Sequence, residues 1–293
     1  MLPFRYEAPS TLDAAVALLS GDPDARILAG GTDLLVQLRG AAPSPPAVVD
    51  VKAIPELGVL ELDGAGLRVG AAITCWELSQ RLDVREAYPG LVEAAELIGS
   101  MQIQSRATLG GNLCNGSPAA DTTPALMAIG AECRIVGPSG ARRLPVDEFV
   151  LAPGRTALAP GELLVELRIP PPPPGSADAY LRFIPRGEMD IAVVGAGVRV
   201  ELETDGICRA ARVALGAVAE TPIRVPAAGE ALVGTRLEPP ALERAAAAAQ
   251  EAGAPITDKR GTAGYRRRLA GVLTRRAFEI AGQRARGDAG IGR

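Results

Sequence analysis

The sequence of 293 residues contains no histidine. Without an imidazole, the chain cannot form a Ser-His-Asp triad, a histidine-ligated zinc site or a histidine proton shuttle. Lysine is almost as scarce, because Lys52 and Lys259 are the only two and neither lies in the GxxxxGKS or GxxxxGKT frame of a P-loop. Triad hydrolases, histidine zinc enzymes and P-loop nucleotidases are therefore excluded, and lysine Schiff-base chemistry is disfavoured.

Cysteine, aromatic residues and excess positive charge are also scarce. The four cysteines show no CxxC spacing, which argues against an iron–sulfur or zinc site and favours buried thiols: Cys75, Cys114, Cys133 and Cys208. Aromatic residues make up 3% of the chain, and the formal net charge is −3. A nucleic-acid partner is disfavoured, because it requires a positive surface and stacking side chains.

Long apolar runs are absent as well. No 18 consecutive residues are apolar, and Arg5, Glu7 and Asp13 stand where a signal peptide would be apolar. We therefore expect a soluble, cytoplasmic protein without a membrane span.

The length predicts two or three packed units, since a typical domain has roughly 150 residues, and apolar spacing with turn signals predicts both strands and helices. Strands are predicted at 26–28, 48–51, 67–71, 133–136 and 163–169, and a hairpin at 192–202 and 208–216. Helices are predicted at 11–19, 79–97 with a break at Pro89, 242–252 and 265–281.

Two boundaries follow from this pattern. The proline run 170–174 lacks the amide donors of a helix or an inner strand and is predicted to be a stiff linker. A further boundary near residue 55 would separate two small lobes. The predicted units are 1–55, 56–172 and 177–285.

Two glycine pairs, Gly30-Gly31 and Gly110-Gly111, stand 80 residues apart, each followed by a polar side chain. Because glycine has no Cβ, successive N–H groups can point into one concavity that suits phosphate oxygens, and two such turns would suit a pyrophosphate. The alternative is an ordinary turn with a positive φ. A Rossmann site is disfavoured, because Gly195-Ala196-Gly197 lacks the third glycine and the strand–turn–helix context.

Four longer segments carry a family resemblance: AGGTDLL at 29–35, QIQSRATLGGNLCNGSPAADTTPAL at 102–126, RGEMDIAVVGAGV at 186–198 and AGYRRRLAGVLTRRA at 263–277. Together they resemble the FAD-binding medium subunit of the molybdenum hydroxylases, the family of xanthine dehydrogenase and aerobic carbon monoxide dehydrogenase. The resemblance implies an α+β fold that begins with a two-lobed FAD-binding domain of the vanillyl-alcohol-oxidase (PCMH) type, with lobes at 1–55 and 56–172. A smaller α+β C-terminal domain would follow at 177–285.

The resemblance also implies which residues bind FAD. Two loops would hold the pyrophosphate, an acidic residue would hydrogen-bond the cofactor, three aliphatic residues would pack around the isoalloxazine, and a basic residue would lie near the flavin. The first loop comprises Leu28, Ala29, Gly30, Gly31, Thr32 and Asp33, and the second loop comprises Thr108, Leu109, Gly110, Gly111 and Asn112. The acidic residue is Asp121, the aliphatic residues are Ile98, Leu164 and Ile191, and the basic residue is Arg182. Without the resemblance, Asp121 fits a helix start equally well, and the aliphatic residues fit a core.

The function implied by the resemblance is electron transfer. A molybdenum-cofactor large subunit would oxidise the substrate, a 2Fe-2S small subunit would relay electrons, and FAD in this chain would pass them to NAD+, oxygen or a quinone. The chain would contribute no catalytic side chain and no metal. The alternatives are a stand-alone FAD-dependent oxidase or dehydrogenase with its own small organic substrate, and a non-catalytic interaction protein.

Overall fold

The first sheet comes from the first fifty residues. The computed structural model describes residues 4–40 and 44–287. Strands of this sheet are parallel, in the order β1-β3-β2, and two helices accompany them. The elements are β1 (Arg5–Glu7), α1 (Leu12–Gly21), β2 (Arg26–Leu28), α2 (Leu34–Arg39) and β3 (Ala47–Asp50).

The parallel arrangement of this sheet places two strand ends together. Leu28 at the end of β2 is in register with Asp50 at the end of β3. Because parallel strands end at one edge of a sheet, the segment that follows β2 leaves from the edge at which Asp50 lies. Helix α1 begins where predicted, because the Thr11 hydroxyl accepts a hydrogen bond from the Ala14 N–H at 3.2 Å.

The second sheet is antiparallel and has the strand order β4-β5-β10-β6-β7. A separate pair, β8 and β9, stands beside it. The strands are β4 (Leu60–Asp63), β5 (Gly66–Gly70), β6 (Glu132–Gly137), β7 (Gly140–Pro145), β8 (Val150–Ala152), β9 (Arg155–Thr156) and β10 (Leu163–Ile169). Strand β10 has the predicted bounds, and its run of buried aliphatic residues reflects its central place.

Six short helices lie between β5 and β6 in the chain. They are α3 (Cys75–Ser79), α4 (Leu82–Ala87), α5 (Pro89–Glu96), α6 (Met101–Gln104), α7 (Leu109–Cys114) and α8 (Thr122–Ile129). The break predicted at Pro89 within the helical segment 79–97 is confirmed, but the first part begins at Leu82 rather than Ser79, because residues 80–81 separate it from α3. Thr74 closes a capping box with Glu77 and begins a separate helix before that point.

The third sheet is an antiparallel meander with the strand order β11-β12-β13-β14. Its elements are β11 (Ser176–Phe183), β12 (Val194–Leu202), β13 (Cys208–Gly216), β14 (Ile223–Arg224), α9 (Pro226–Glu230), α10 (Pro239–Ala252) and α11 (Ala263–Ala285). The predicted hairpin is confirmed, and Gly206 in its turn has a φ of 83°. Both predicted helices after residue 240 are also confirmed.

Two hydrophobic cores result. The larger is built mainly from residues before Pro170, and the smaller lies between the third sheet and helices α10 and α11. Helix α8 packs on β12 and β13 where the two cores meet, a junction that we call the seam. A Cβ at Gly197 would lie 2.6 Å from the Pro124 backbone there. The α+β class is confirmed, whereas the boundaries near 55 and 172 stay predictions. None of the helices among the described residues is long and apolar enough to span a membrane.

Candidate functional site

A cavity of about 490 Å³ lies where the first sheet meets the second. Three stretches of chain form most of its wall, at 25–34, 107–115 and 158–164. Apolar side chains complete it at Leu19, Val51, Leu57, Ala71 and Ile98. Its volume falls in the range of ligand sites, about 300–1,000 Å³.

The first stretch leaves the carboxyl edge of the parallel sheet directly after β2. Gly31 has a φ of 78°, a conformation that favours glycine. Gly30 is required for another reason, because a Cβ there would lie 2.0 Å from the Arg106 carbonyl oxygen. Within the described chain, the N–H groups of Gly30, Gly31 and Thr32 have no hydrogen-bond acceptor. This loop therefore places free amide donors at the cavity wall.

The second glycine pair is not a turn, contrary to the sequence-based prediction. Gly110 and Gly111 lie in the first turn of α7, and neither has a positive φ. The Thr108 hydroxyl begins the helix by accepting a hydrogen bond from the Gly111 N–H at 2.9 Å. A Cβ at Gly110 would lie 2.6 Å from Ala71, so this glycine permits close packing of the helix on the strand end.

The third stretch, which we call the 158–164 wall, was expected only at Leu164, and its other residues were not predicted to line the site. It runs from Leu158 to Leu164 and turns at Pro160-Gly161, where Gly161 has a φ of 80°. Arg142 holds it from outside through hydrogen bonds from Nε and Nη2 to the two Glu162 carboxylate oxygens, each of 2.7 Å. The Pro-Gly pair was the available signal of a turn, but no motif before Leu164 pointed to the cavity.

A side-chain contact joins the first two stretches. The Gln37 amide on α2 donates to the Asn115 side-chain oxygen at the end of α7 over 3.2 Å. Both residues line the cavity, as does Cys114. Burial raises the pKa of the Cys114 thiol to about 12, so this cysteine is neutral and acts as an apolar wall group. Burial also raises the pKa of Asp33.

Eleven of the sixteen residues expected to bind the cofactor line this cavity. They are Ala29, Gly30, Gly31, Thr32, Asp33, Ile98, Thr108, Gly110, Gly111, Asn112 and Leu164. The remaining five, which are Leu28, Leu109, Asp121, Arg182 and Ile191, do not line it. Leu109 is fully buried in the large core, and the Leu28 side chain lies under Gly31.

Asp121 and Arg182 contact each other rather than the cavity. Arg182 Nη1 donates to Asp121 Oδ2 at 2.7 Å, and the Tyr180 hydroxyl donates to Asp121 Oδ1 at 2.9 Å. Burial raises the pKa of Asp121 to about 6, and Arg182 opposes that rise. The cluster ties α8 to β11 across the seam, and the Thr122 hydroxyl links it to Asn112 of the cavity at 2.7 Å.

Ile191 lies apart from the cavity, in the segment between β11 and β12. Ile191 is 53% exposed. The neighbouring Asp190 pairs with Arg186 at 3.3 Å and with Arg260 at 3.2 Å. No group of three or more potential metal ligands occurs among residues 4–40 and 44–287.

Comparison with known proteins identifies the family. Residues 2–172 match the family described as the FAD binding domain in molybdopterin dehydrogenase, and residues 179–281 match the CO dehydrogenase flavoprotein C-terminal domain. The chain belongs to this family. FAD is its cofactor, and the chain is a medium, FAD-binding subunit of the molybdenum hydroxylase type.

Relatives of this family resemble the chain over nearly its full length. The carbon monoxide dehydrogenase medium chain of Afipia carboxidovorans is 37% identical, over 97% of this chain and 98% of the relative. The xanthine dehydrogenase FAD-binding subunit of Escherichia coli O157:H7 is 32% identical, over 94% and 95%. The structure of CO dehydrogenase from Oligotropha carboxidovorans superposes with a TM-score of 0.92 at 37% identity, covering 97% of this chain and 100% of that one.

The cavity fits FAD by its donors and its shape. The free amides of Gly30, Gly31 and Thr32 suit phosphate oxygens, and the positive φ of Gly31 shapes this loop, with no room for a Cβ because the Leu28 side chain lies 2.9 Å from that position. The apolar groups of Ile98, Leu164 and Leu57 suit an aromatic ring system.

Proposed function

We propose that this chain is the electron-transfer subunit of a molybdenum hydroxylase complex, assembled with a molybdenum-cofactor large subunit and a 2Fe-2S small subunit. The observation that supports this most directly is the cavity, whose wall offers free backbone donors and apolar surface. The match to relatives named as a medium chain and as an FAD-binding subunit supports the assembly with further subunits.

In this proposal the eleven cavity-lining residues of the expected set contact FAD. The first loop and the start of α7 hold the pyrophosphate through backbone N–H groups, and Ile98 and Leu164 pack against the flavin ring. Contact of FAD with Leu28, Leu109, Asp121, Arg182 and Ile191 stays a prediction. Asp121 and Arg182 neutralise each other at the seam, so their pair supports α8 behind Asn112.

The chemistry that FAD supplies when bound is the acceptance of electrons from the iron–sulfur subunit and their transfer to NAD+, oxygen or a quinone. The side chains of this chain bind and orient; none is required to act as a nucleophile. Glu162, one of the carboxylates at the wall, is held by Arg142, and the Cys114 thiol is neutral. This division of labour agrees with the lack of histidine.

The test compares the FAD-loaded chain with the assembled complex. We expect the chain alone, once a chemical reductant has reduced its flavin, to pass those electrons to an artificial acceptor, but to leave carbon monoxide, purines and aldehydes unoxidised. Oxidation of the complex's substrate should appear only when the two partner subunits are added. If the single chain turns over such a substrate as fast as the complex does, the stand-alone flavoenzyme replaces this proposal.

A second arm tests the site. Gly31→Val introduces a branched side chain at a φ of 78°, beside Leu28, and should abolish retention of FAD absorbance. Gly234→Val is the matched control, because Gly234 has the same φ of 78° and nothing within 4 Å of its Cβ position. It carries the same backbone strain at a position that does not line the cavity and should retain FAD.

A further inference from the structure

We propose that Lys52 is a positioning residue for FAD: its ammonium group, fixed by Asp50 and Tyr6, holds the Ala29 carbonyl so that the Gly30 N–H faces the pyrophosphate. The inference rests on the proposed FAD site. Lys52 is one of only two lysines in the sequence, and it does not line the cavity itself. Lys52 instead contacts the first loop, which does line the cavity.

The ammonium group is held by a buried carboxylate. Lys52 Nζ lies 2.7 Å from each carboxylate oxygen of Asp50, a residue that is 8% exposed. The Lys52 backbone N–H also donates to Asp50 Oδ1 at 3.1 Å, so the side chain folds back over its own turn. These contacts fix the position of Nζ at the carboxyl edge of the parallel sheet.

Tyr6 holds the carboxylate from the other side. Its hydroxyl donates to Asp50 Oδ2 at 2.6 Å from strand β1, at the edge of the same sheet. The carboxylate thus links β1 to β3 through side chains, and the backbone of Asp50 is in register with Leu28 of β2. Hydrogen bonds from Lys52 and Tyr6 keep the pKa of Asp50 below its usual value against the effect of burial.

The fixed ammonium group then acts on the loop. Lys52 Nζ donates to the Ala29 carbonyl oxygen at 3.3 Å. In a trans peptide the C=O and the following N–H point in opposite directions, so holding this carbonyl toward Lys52 turns the Gly30 N–H away from it. That N–H is one of the free donors at the cavity wall. The charge of Lys52 is balanced by Asp50, so its effect on FAD is orientation rather than net attraction.

The test compares FAD, ADP and riboflavin binding to the purified full chain and its variants. Lys52→Met keeps the length of the side chain but removes the ammonium group, and should weaken FAD and ADP binding at least tenfold. Riboflavin has no phosphate, and its affinity should change less than twofold. Lys52→Arg retains a donor for both partners and should restore FAD affinity to within threefold of the parent.

Two further variants make the result decisive. Asp50→Asn/Lys52→Met leaves no unpaired carboxylate and should reproduce the tenfold loss if Lys52→Met alone fails to fold. Lys259→Met removes the other lysine, which is exposed and makes no hydrogen bond or ion pair within the described chain, and should bind like the parent.

Unchanged FAD affinity in the Lys52 variants, or an equal loss of riboflavin and ADP binding, would overturn the role of Lys52 while leaving the FAD site standing. A parent chain that binds no FAD, or a Gly31→Val variant that still retains it, would overturn the proposed site itself. The two failures are therefore distinguishable.

Discussion

At the scale of single residues, the glycines near the cavity serve two different physical needs. Gly31 supplies a positive φ, which a side chain makes unfavourable. Gly30 and Gly110 supply close approach instead, because a Cβ at either would overlap the backbone of another segment. The same dipeptide therefore marks a turn at one place and a tight contact at another.

The first prediction concerns that close approach. In Gly30→Ala the new Cβ would lie 2.0 Å from the Arg106 carbonyl oxygen, so the first loop and the segment before α7 must separate. We expect a loss of about 1–3 kcal/mol of unfolding free energy, typical of overpacking, even without FAD. Thermal and urea unfolding of the FAD-free protein measure it.

Gly58→Ala is the control for this experiment. Gly58 is exposed, and a Cβ there has nothing within 4 Å. Its unfolding free energy should stay within about 0.5 kcal/mol of the parent, as for most surface changes. If Gly30→Ala unfolds at the same urea concentration as Gly58→Ala, the tight contact between the two segments is refuted.

At the scale of elements, the 158–164 wall shows how a loop can belong to a site without a motif. Its position depends on β10, whose first two residues it includes, and on Arg142 of β7. The guanidinium group also donates from Nη2 to the Ala157 carbonyl oxygen at 2.7 Å. One planar side chain thereby fixes both the wall and the residue before it.

The second prediction is that Arg142→Lys loosens this wall. A lysine cannot make the two-pronged contact with Glu162 together with the contact to Ala157. Because the Arg142 side chain is partly exposed, the loss is about 0.5–1 kcal/mol, and FAD should dissociate roughly two- to fivefold faster. Stopped-flow displacement of FAD measures this rate.

The neighbouring Arg143 provides the control. It lies 4.0 Å from Glu132 and is more exposed. Arg143→Lys should release FAD at the parental rate. Equal rates for Arg142→Lys and the parent would mean that the wall does not limit FAD release.

At the scale of the whole molecule, a buried acidic group joins the two cores. Asp178 of β11 accepts a hydrogen bond from the Leu91 N–H in the first turn of α5 at 3.2 Å. Glu93 and Arg284 also face it, and they pair with each other, linking α5 to α11. Burial raises the pKa of Asp178 to about 7.

This raised pKa predicts a pH-dependent stability. The folded chain keeps the Asp178 proton up to about pH 7, whereas the unfolded chain loses it near pH 4. The folded state therefore binds more protons in this window, and its stability falls as the pH rises from about 4 to 7. The raised pKa of Asp121 contributes with the same sign.

The third prediction isolates Asp178. Asp178→Asn retains an acceptor for the Leu91 N–H but carries no charge, so it should be more stable than the parent at pH 8 by on the order of 3 kcal/mol. At about pH 3 the two should unfold alike, since both side chains are then neutral in the folded and in the unfolded state. Asp121 is present in both proteins, so its contribution cancels in the difference between their unfolding free energies. A pH-independent difference in melting temperature would contradict the assignment.

Much of the secondary structure is determined by local sequence. The bounds of strand β10, the hairpin around Gly206, the helices at 239–252 and 263–285, and the first glycine turn all follow from periodicity, caps and glycine within about ten residues. The family, and with it FAD, also follows from the sequence, because the motifs at 29–35 and 102–126 are long enough to be specific.

Only the tertiary structure decided how these elements meet. Gly110 has the same local pattern as Gly30, yet it starts a helix packed on Ala71, almost forty residues away in sequence. Asp121 forms hydrogen bonds with Tyr180 and Arg182 of β11, far from it in sequence. The 158–164 wall lies at the cavity because it leads into β10, the central strand of its sheet. Backbone conformation depends on neighbouring residues, whereas the pairing of buried charges and the closure of a cavity depend on chain segments that folding alone brings together.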